Sequence, residues 1–232
     1  MRLFYHPYPT SDSFLSEEES LHAVKVLRLQ EGDTIRLMDG KGYWYDAKIT
    51  KAHAKKCTFQ IVQQSSLAPR RSYRLHIAVA PTKSIDRTEW FVEKAVEAGI
   101  DEISFLQCEH SERKNINLER FEKIVVSALK QSTNLYLPTL HPMVPFRQFA
   151  AQALSSQKFI AHLEDGERKL LKNELAATDD ILILIGPEGD FSPEEIDFAL
   201  KQGFAPVSLG ESRLRTETAA LAACFTCHIV KS

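Results

Sequence analysis

Over the first seventy residues, apolar and polar positions alternate in short runs. MRLFY reads as an opening strand, and TIRLMD, GYWYDAKIT and CTFQIVQ read as three strands of about six residues. Asp39-Gly40 lies between two of these runs and is a good hairpin signal. Ser16-Glu17-Glu18-Glu19 has the spacing of a capping box, and Leu21, Val24 and Leu27 follow on one helical face. That spacing predicts a helix ending near Leu29, before a turn at Glu31-Gly32-Asp33. Strands this short and close predict a small β-barrel. Tyr43, Trp44 and Tyr45 sit on one of them, where a place in the barrel core is favoured over an exposed stacking face.

Ser65–Ser72 (SSLAPRRS) is polar and carries a proline, which marks a linker and divides the chain into residues 1–72 and 73–232. Beyond it, apolar runs alternate with helical periodicity. RLHIAVA reads as a strand. Asp86 and Glu89 have capping-box spacing at the start of a helix through WFVEKAVEA, which stops at Gly99. EISFLQ is the next strand, and Asn117 caps a helix whose Leu118, Phe121, Ile124, Val125, Ala128 and Leu129 repeat at three and four. Pro138 and Pro142 are expected to break the chain before a short helix in PFRQFAAQAL. KFIAHL and DILILI are strands, and Ser192-Pro193-Glu194-Glu195 is a clear helix start. PVSL is a short strand. The last helix, TETAALAACFTCHIV, is apolar almost all round, so it should be buried or lie in a subunit interface. This alternation predicts an α/β domain with a mainly parallel sheet.

Within that sheet, Ile181–Ile185 should be buried on both faces. The run leads straight into Gly186-Pro187-Glu188-Gly189, and ligands bind at the carboxyl ends of strands in such sheets. Alone, GPEG could equally be a plain strand-to-helix turn. Its weight comes from a second loop after a short strand, LGESRLRTETAA, because two such loops can wall one pocket.

Composition changes this picture little: 44% hydrophobic and 26% charged residues describe an ordinary globular chain. No apolar run is long enough to span a bilayer, and no signal peptide opens the chain, so a cytoplasmic protein is expected. The net charge of −2 argues against bulk nucleic-acid binding, but it is uneven. Residues 1–76 carry 12 Lys/Arg against 8 Asp/Glu, and the remainder 17 against 23. A mildly basic first part permits local phosphate contact, although an ordinary solvated surface fits as well. No GxGxxG or GK[ST] occurs, which removes the usual support for triphosphate hydrolysis. Cys224 and Cys227 lie inside an apolar helix, and the eight histidines form no metal-spaced set, so no metal is expected.

IGPEGDFSPEEI and SLGESRLRTETAALAA together closely resemble the C-terminal signature of the bacterial ribosomal RNA small-subunit methyltransferase E family, within the SPOUT (trefoil-knotted) methyltransferases. Further blocks are similar in the same order: His22–Arg28 with Gly32-Asp33, Lys83–Gly99, Ser111-Glu112-Arg113, and Gln131-Ser132 with Pro138. The resemblance covers nearly the whole chain. It implies a PUA-like RNA-binding barrel, then an α/β domain whose last segment threads a knot. It also implies S-adenosylmethionine as methyl donor, a homodimer, and N3-methyluridine in the decoding region of 16S ribosomal RNA as product.

Mapped onto this chain, the resemblance and the demands of methyl transfer give cofactor candidates Ile185, Gly186, Glu188, Gly189, Leu209, Gly210 and Leu214, with His162 and Leu163 as a third wall. Arg215 is the candidate for stabilising a uracil anion, and Glu188 and Glu217 are candidate proton acceptors. A competing reading of Arg215 and Glu217 has them cap or pair around the start of the last helix. Lys25, Arg28, Arg70, Arg71 and Arg113 are candidate RNA contacts. Three positions depart from the family pattern: Asp190 where a second glycine is usual, Ser212-Arg213 where an arginine precedes an aliphatic residue, and Asn134 where an arginine is usual. Asp190 and Ser212 leave room for a catalytically impaired ribosome-assembly factor of the same fold. An α/β enzyme acting on a small nucleotide is a third possibility, which the basic first part argues against.

Overall fold

The computed structural model describes residues 2–164, 168–176 and 179–231. It divides into two compact units, Met1–Arg70 with Leu129–Leu137, and Arg71–Ala128 with Pro138–Ser232.

In the first unit, β1 (Leu3–Tyr5), β2 (Thr34–Met38), β3 (Trp44–Lys51) and β4 (Thr58–Gln64) form one sheet in that order. Met1, at the start of the expected first strand, lies outside the described residues. β1 pairs parallel to β2, and the other neighbours are antiparallel. Alternation fills the core with Phe4, Ile35, Leu37, Tyr45, Ala47, Ile49 and Phe59. Trp44 points the other way, is 40% exposed, and carries the Arg36 guanidinium 3.7 Å above its ring. The aromatic trio is therefore split between core and surface.

Ser16 caps α1 (Glu17–Leu21) by accepting the Glu19 N–H. The reciprocal half of the expected capping box is absent, because the Glu19 carboxylate bonds Lys130 Nζ at 2.6 Å instead. The helix does not run on to Leu29 as α-helix either. His22–Val26 widens into a π-turn, which rotates the face: Ser20 and Ala23 are buried, whereas Leu21 and Leu27 are exposed. Leu129–Leu137 completes this unit. Gly42 N–H donates to the Leu135 carbonyl, Leu137 N–H to that of Gly40, and the Tyr136 hydroxyl to that of Ala68. Gly42 has φ +105°, and a Cβ there would meet the Tyr136 hydroxyl oxygen at 2.6 Å, so only glycine fits. Asn134 accepts the Tyr136 N–H, which gives this departure from the family pattern a local turn role.

The second unit holds β5 (Leu75–Val79), α2 (Ile85–Glu97), β6 (Glu102–Gln107), α3 (Leu118–Ser132, whose end belongs to the first unit), β7 (Thr139–Pro145), α4 (Phe146–Gln152), β8 (Gln157–Ala161), β9 (Lys169–Leu170), α5 (Leu171–Glu174), β10 (Ile181–Ile185), α6 (Pro193–Lys201), β11 (Ala205–Ser208) and α7 (Thr216–Val230). Its seven strands run β7-β6-β5-β10-β8-β11-β9 with every pair parallel. β10 is central and buried at all five residues, as its sequence predicts. Helix α2 starts from Ser84, not from an Asp86–Glu89 box; Glu89 instead pairs with Arg120. Pro142 does not interrupt the chain. It sits in β7 at a register shift opposite Ser104/Phe105, and β7 is an edge strand, where a missing N–H costs no ladder bond. Ser192 and Glu195 form both halves of the capping box at α6. Helix α7 buries Ala220, Ala223, Cys224 and Cys227 but leaves Phe225 and Ile229 exposed.

Candidate functional site

The carboxyl ends of β8, β10 and β11 open into a cavity of about 370 Å³. Three loops wall it, and each is built differently. After β10, Gly186 and Pro187 are buried, and Gly186 lies so near the Phe191 ring that a Cβ would stand 3.1 Å from it. Glu188 is tied sideways: its Oε1 accepts the Lys83 N–H at 2.9 Å. The loop that supplies Lys83 is itself held by Arg113, whose guanidinium donates to the Thr82 and Lys83 carbonyls.

Asp190 closes the β10 loop. Its φ of +65° is a left-handed conformation that glycine adopts freely and Asp tolerates better than most residues. Its side chain then works in two directions. Oδ1 accepts the Phe191 N–H at 2.8 Å, and Oδ2 accepts the Leu163 N–H at 2.6 Å, across to the loop after β8. His110 supports the same turn from below, with Nδ1 3.1 Å from the Gly189 and Asp190 carbonyls.

At the end of β8, His162 is buried, and among the described residues neither of its ring nitrogens has a protein partner. Burial, and then the Arg168 guanidinium, hold its pKa below the usual histidine value, while Asp190 pulls weakly the other way. A neutral ring offers one donor and one acceptor to whatever occupies the cavity. Arg168 also donates to the His162 carbonyl. After β11, Ser208 Oγ bonds both the carbonyl and the N–H of Gly210, whose φ is +136°. Arg215 is the N-cap residue of α7 but makes no side-chain capping bond.

Of the residues singled out from sequence, His162, Leu163, Ile185, Gly186, Glu188, Leu209, Gly210, Leu214 and Arg215 line this cavity. Gly189 and Glu217 do not. Gly189 packs on His110, and Glu217 is buried with Oε1 3.9 Å from Arg87 of α2. Arg168, Arg213 and Thr216 join the wall without having been marked as cofactor contacts. The candidate RNA contacts also separate. Lys25, within the π-turn, and Arg28, just after it, are exposed, and Arg70 lies over the Tyr136 ring. Arg71 is committed to Asp101 at 2.6 Å and to the Gly99 carbonyl, and Arg113 to the β5 loop.

All four cysteines are free and buried, and burial pushes Cys224 and Cys227 up to about 12, which leaves them unreactive. Among the described residues, no helix is long and apolar enough to cross a membrane.

The RNA methyltransferase domain family matches residues 69–228, and the RNA methyltransferase PUA domain family matches residues 15–62. The ribosomal RNA small subunit methyltransferase E of Mesomycoplasma hyopneumoniae is 33% identical over 216 residues, covering 90% of each chain. The chain belongs to the ribosomal RNA small subunit methyltransferase E family. Solved structures agree with that membership. A crystal structure described as a probable rRNA-methyltransferase from Porphyromonas gingivalis is 44% identical, with a TM-score of 0.94 over 100% of this chain and 98% of its own. A ribosomal RNA small subunit methyltransferase E from Neisseria gonorrhoeae, solved bound to S-adenosyl methionine, is 26% identical with a TM-score of 0.86, again covering 100% and 98%. The family's two domains thus account for both patterns in the chain, the alternating strands before the linker and the parallel sheet after it.

Proposed function

We propose that the protein is an S-adenosylmethionine-dependent methyltransferase that methylates N3 of a uridine in the decoding region of 16S ribosomal RNA. The observation that carries this reading is a single cavity at the ends of β8, β10 and β11, within a chain matched by the RNA methyltransferase domain over residues 69–228. Its volume suits a small-molecule cofactor. Among the described residues the His162 ring nitrogens have no partner, which fits a polar ligand, and the main chain at Gly186, Leu209 and Leu214 can offer amides and carbonyls. Ile185 and Leu163 supply apolar wall for a flat ring.

When bound, the cofactor supplies a methyl group on a sulfonium sulfur; transfer breaks that C–S bond, forms an N3–C bond and releases the N3 proton. The protein must then orient an exposed uracil and accept that proton. Arg215, on the cavity wall, is proposed to stabilise the negative charge that uracil gathers. Glu188 is favoured over Glu217 as proton acceptor, because Glu188 lines the cavity. Its Oε1 is held by the Lys83 N–H, which orients Oε2. Lys25, Arg28 and Arg70 of the first unit are proposed phosphate contacts, with residues 1–72 serving RNA binding and 73–232 catalysis.

A homodimer through the exposed Phe225–Ile229 stripe of α7 completes the proposal. Light scattering should return twice the chain mass, and a monomer at working concentration would remove this part. The knot is what the family resemblance implies, and α7 packs back on α2, β5 and β10. A crystal structure whose chain pulls straight from its ends would remove it. Calorimetry with pure, folded protein should show S-adenosylmethionine binding, and 16S RNA from a deletion strain should lose N3-methyluridine by mass spectrometry. RNA binding without any cofactor binding would favour the assembly-factor reading instead.

A further inference from the structure

At the other end of the same sheet, three strands bring together side chains that lie far apart in sequence. His76 is the second residue of β5, Glu102 the first of β6, and His141 lies in β7. His76 pairs in register with Glu102, and Ser104 with His141. Because strand side chains alternate, Glu102 and Ser104 share one face of the sheet, with a histidine on either side. His141 Nε2 is 2.9 Å from Glu102 Oε2, and His76 Nδ1 is 4.0 Å from the same oxygen. All three candidate ligand atoms lie within 4.8 Å of one another.

We propose that His76, Glu102 and His141 bind a divalent transition-metal cation of the zinc type, through His76 Nδ1, His141 Nε2 and Glu102 Oε2. Two imidazoles and a carboxylate are a borderline N/O donor set suited to such a cation. Bonds of about 2.0–2.1 Å at tetrahedral angles put ligand atoms roughly 3.3 Å apart, so modest side-chain rotations close the set around an ion. The surroundings already orient two of the ligands. Ser104 Oγ is 2.8 Å from His76 Nε2; in the tautomer protonated at Nε2, that proton donates to Ser104 and the Nδ1 lone pair faces Glu102. Arg74 holds the other Glu102 oxygen, Oε1, at 2.7 Å and leaves Oε2 for the cation. The Arg74 charge weakens the site relative to an unpaired carboxylate, which places it below a closed structural zinc centre in affinity.

The His76 ring is largely buried, with 16% of its side chain exposed. Packing of Phe149 edge-on at 5.6 Å fixes one side of the ring. His141 is the most exposed of the three ligands, which gives the ion a path in and leaves a fourth coordination position for water. The cation would join edge strand β7 to β5 and β6 beside the register shift at Pro142. The role this assigns is a staple of the sheet edge, separate from the methyl-transfer cavity.

Metal-stripped protein dialysed against zinc(II) should retain one equivalent by elemental analysis and melt at a higher temperature. His141→Ala and the bulkier His141→Gln should each lose both effects while keeping the wild-type circular dichroism. Cobalt(II) should give the wild type a visible absorption band typical of four-coordinate ligation, and that band should be absent from His141→Gln. The proposal is overturned if the wild type retains no zinc. Equal retention in the wild type and both variants would also overturn it, since the ion would then lie elsewhere.

Discussion

Replacing Arg215 with alanine should slow methyl transfer to ribosomal RNA at least about tenfold, the scale of losing one charged transition-state contact. The substitution is a clean test because the side chain does little for the fold. Arg215 occupies the N-cap position of α7 with extended backbone, φ −72° and ψ 156°, yet no side-chain atom bonds the helix N–H groups. What holds the helix start is main chain, with the Ala219 N–H donating to the Arg215 carbonyl at 2.7 Å, and alanine keeps that bond. Stability and cofactor affinity should therefore stay near wild type while the single-turnover rate falls. Arg215→Lys should recover part of the rate, since it keeps the charge but loses the planar fork of donors. A single-turnover rate unchanged in Arg215→Ala would assign the arginine to the surface.

Asp190→Ala should cost about 2–4 kcal/mol of folding stability, and Asp190→Gly about 1 kcal/mol less than that. Two effects add in the alanine variant. It must hold φ near +65° without a side chain that favours it, and it releases the Phe191 and Leu163 N–H groups from a carboxylate. Glycine suffers only the second. Both variants should bind S-adenosylmethionine several-fold more weakly, because the β8 and β10 loops lose their cross-bond at the cavity rim. Urea denaturation and calorimetry on the pair separate backbone strain from the lost bridge. If alanine proves as stable as glycine, the left-handed conformation contributes nothing. If neither variant binds more weakly, the bridge to Leu163 is inert. The departure from the family glycine thus fits the backbone conformation at that position, which weakens the case for an impaired site.

Elements whose evidence is local were legible in the sequence. Five consecutive aliphatic residues at Ile181–Ile185 suit a strand covered on both faces, and they form the central strand of the sheet. The Ser192–Glu195 box needs only four residues, and both of its bonds are present. Most of the cavity wall was legible through the family resemblance, which named residues in loops that end neighbouring parallel strands. What failed depended on distant partners. Glu19 has the spacing of a capping residue but finds Lys130, which no local pattern announces. Pro142 reads as a breaker because the sequence does not say that its strand is an edge. Gly189 and Glu217 lie on the right segments but face His110 and Arg87, and direction around a loop or first helical turn is set by packing. His76, Glu102 and His141 have no motif spacing, since register between strands brings them together, not sequence distance.

The tie between Leu129–Leu137 and the first unit bears on how the chain is made. A nascent polypeptide that has emerged only as far as Arg70 has the Gly42 N–H and the Gly40 carbonyl without their partners, and Glu19 without Lys130. The amino-terminal part therefore cannot finish folding first and wait for the rest. It is completed only after α3 has been synthesised, so a truncation at the linker leaves the Gly40 carbonyl, the Gly42 N–H and Glu19 without their partners.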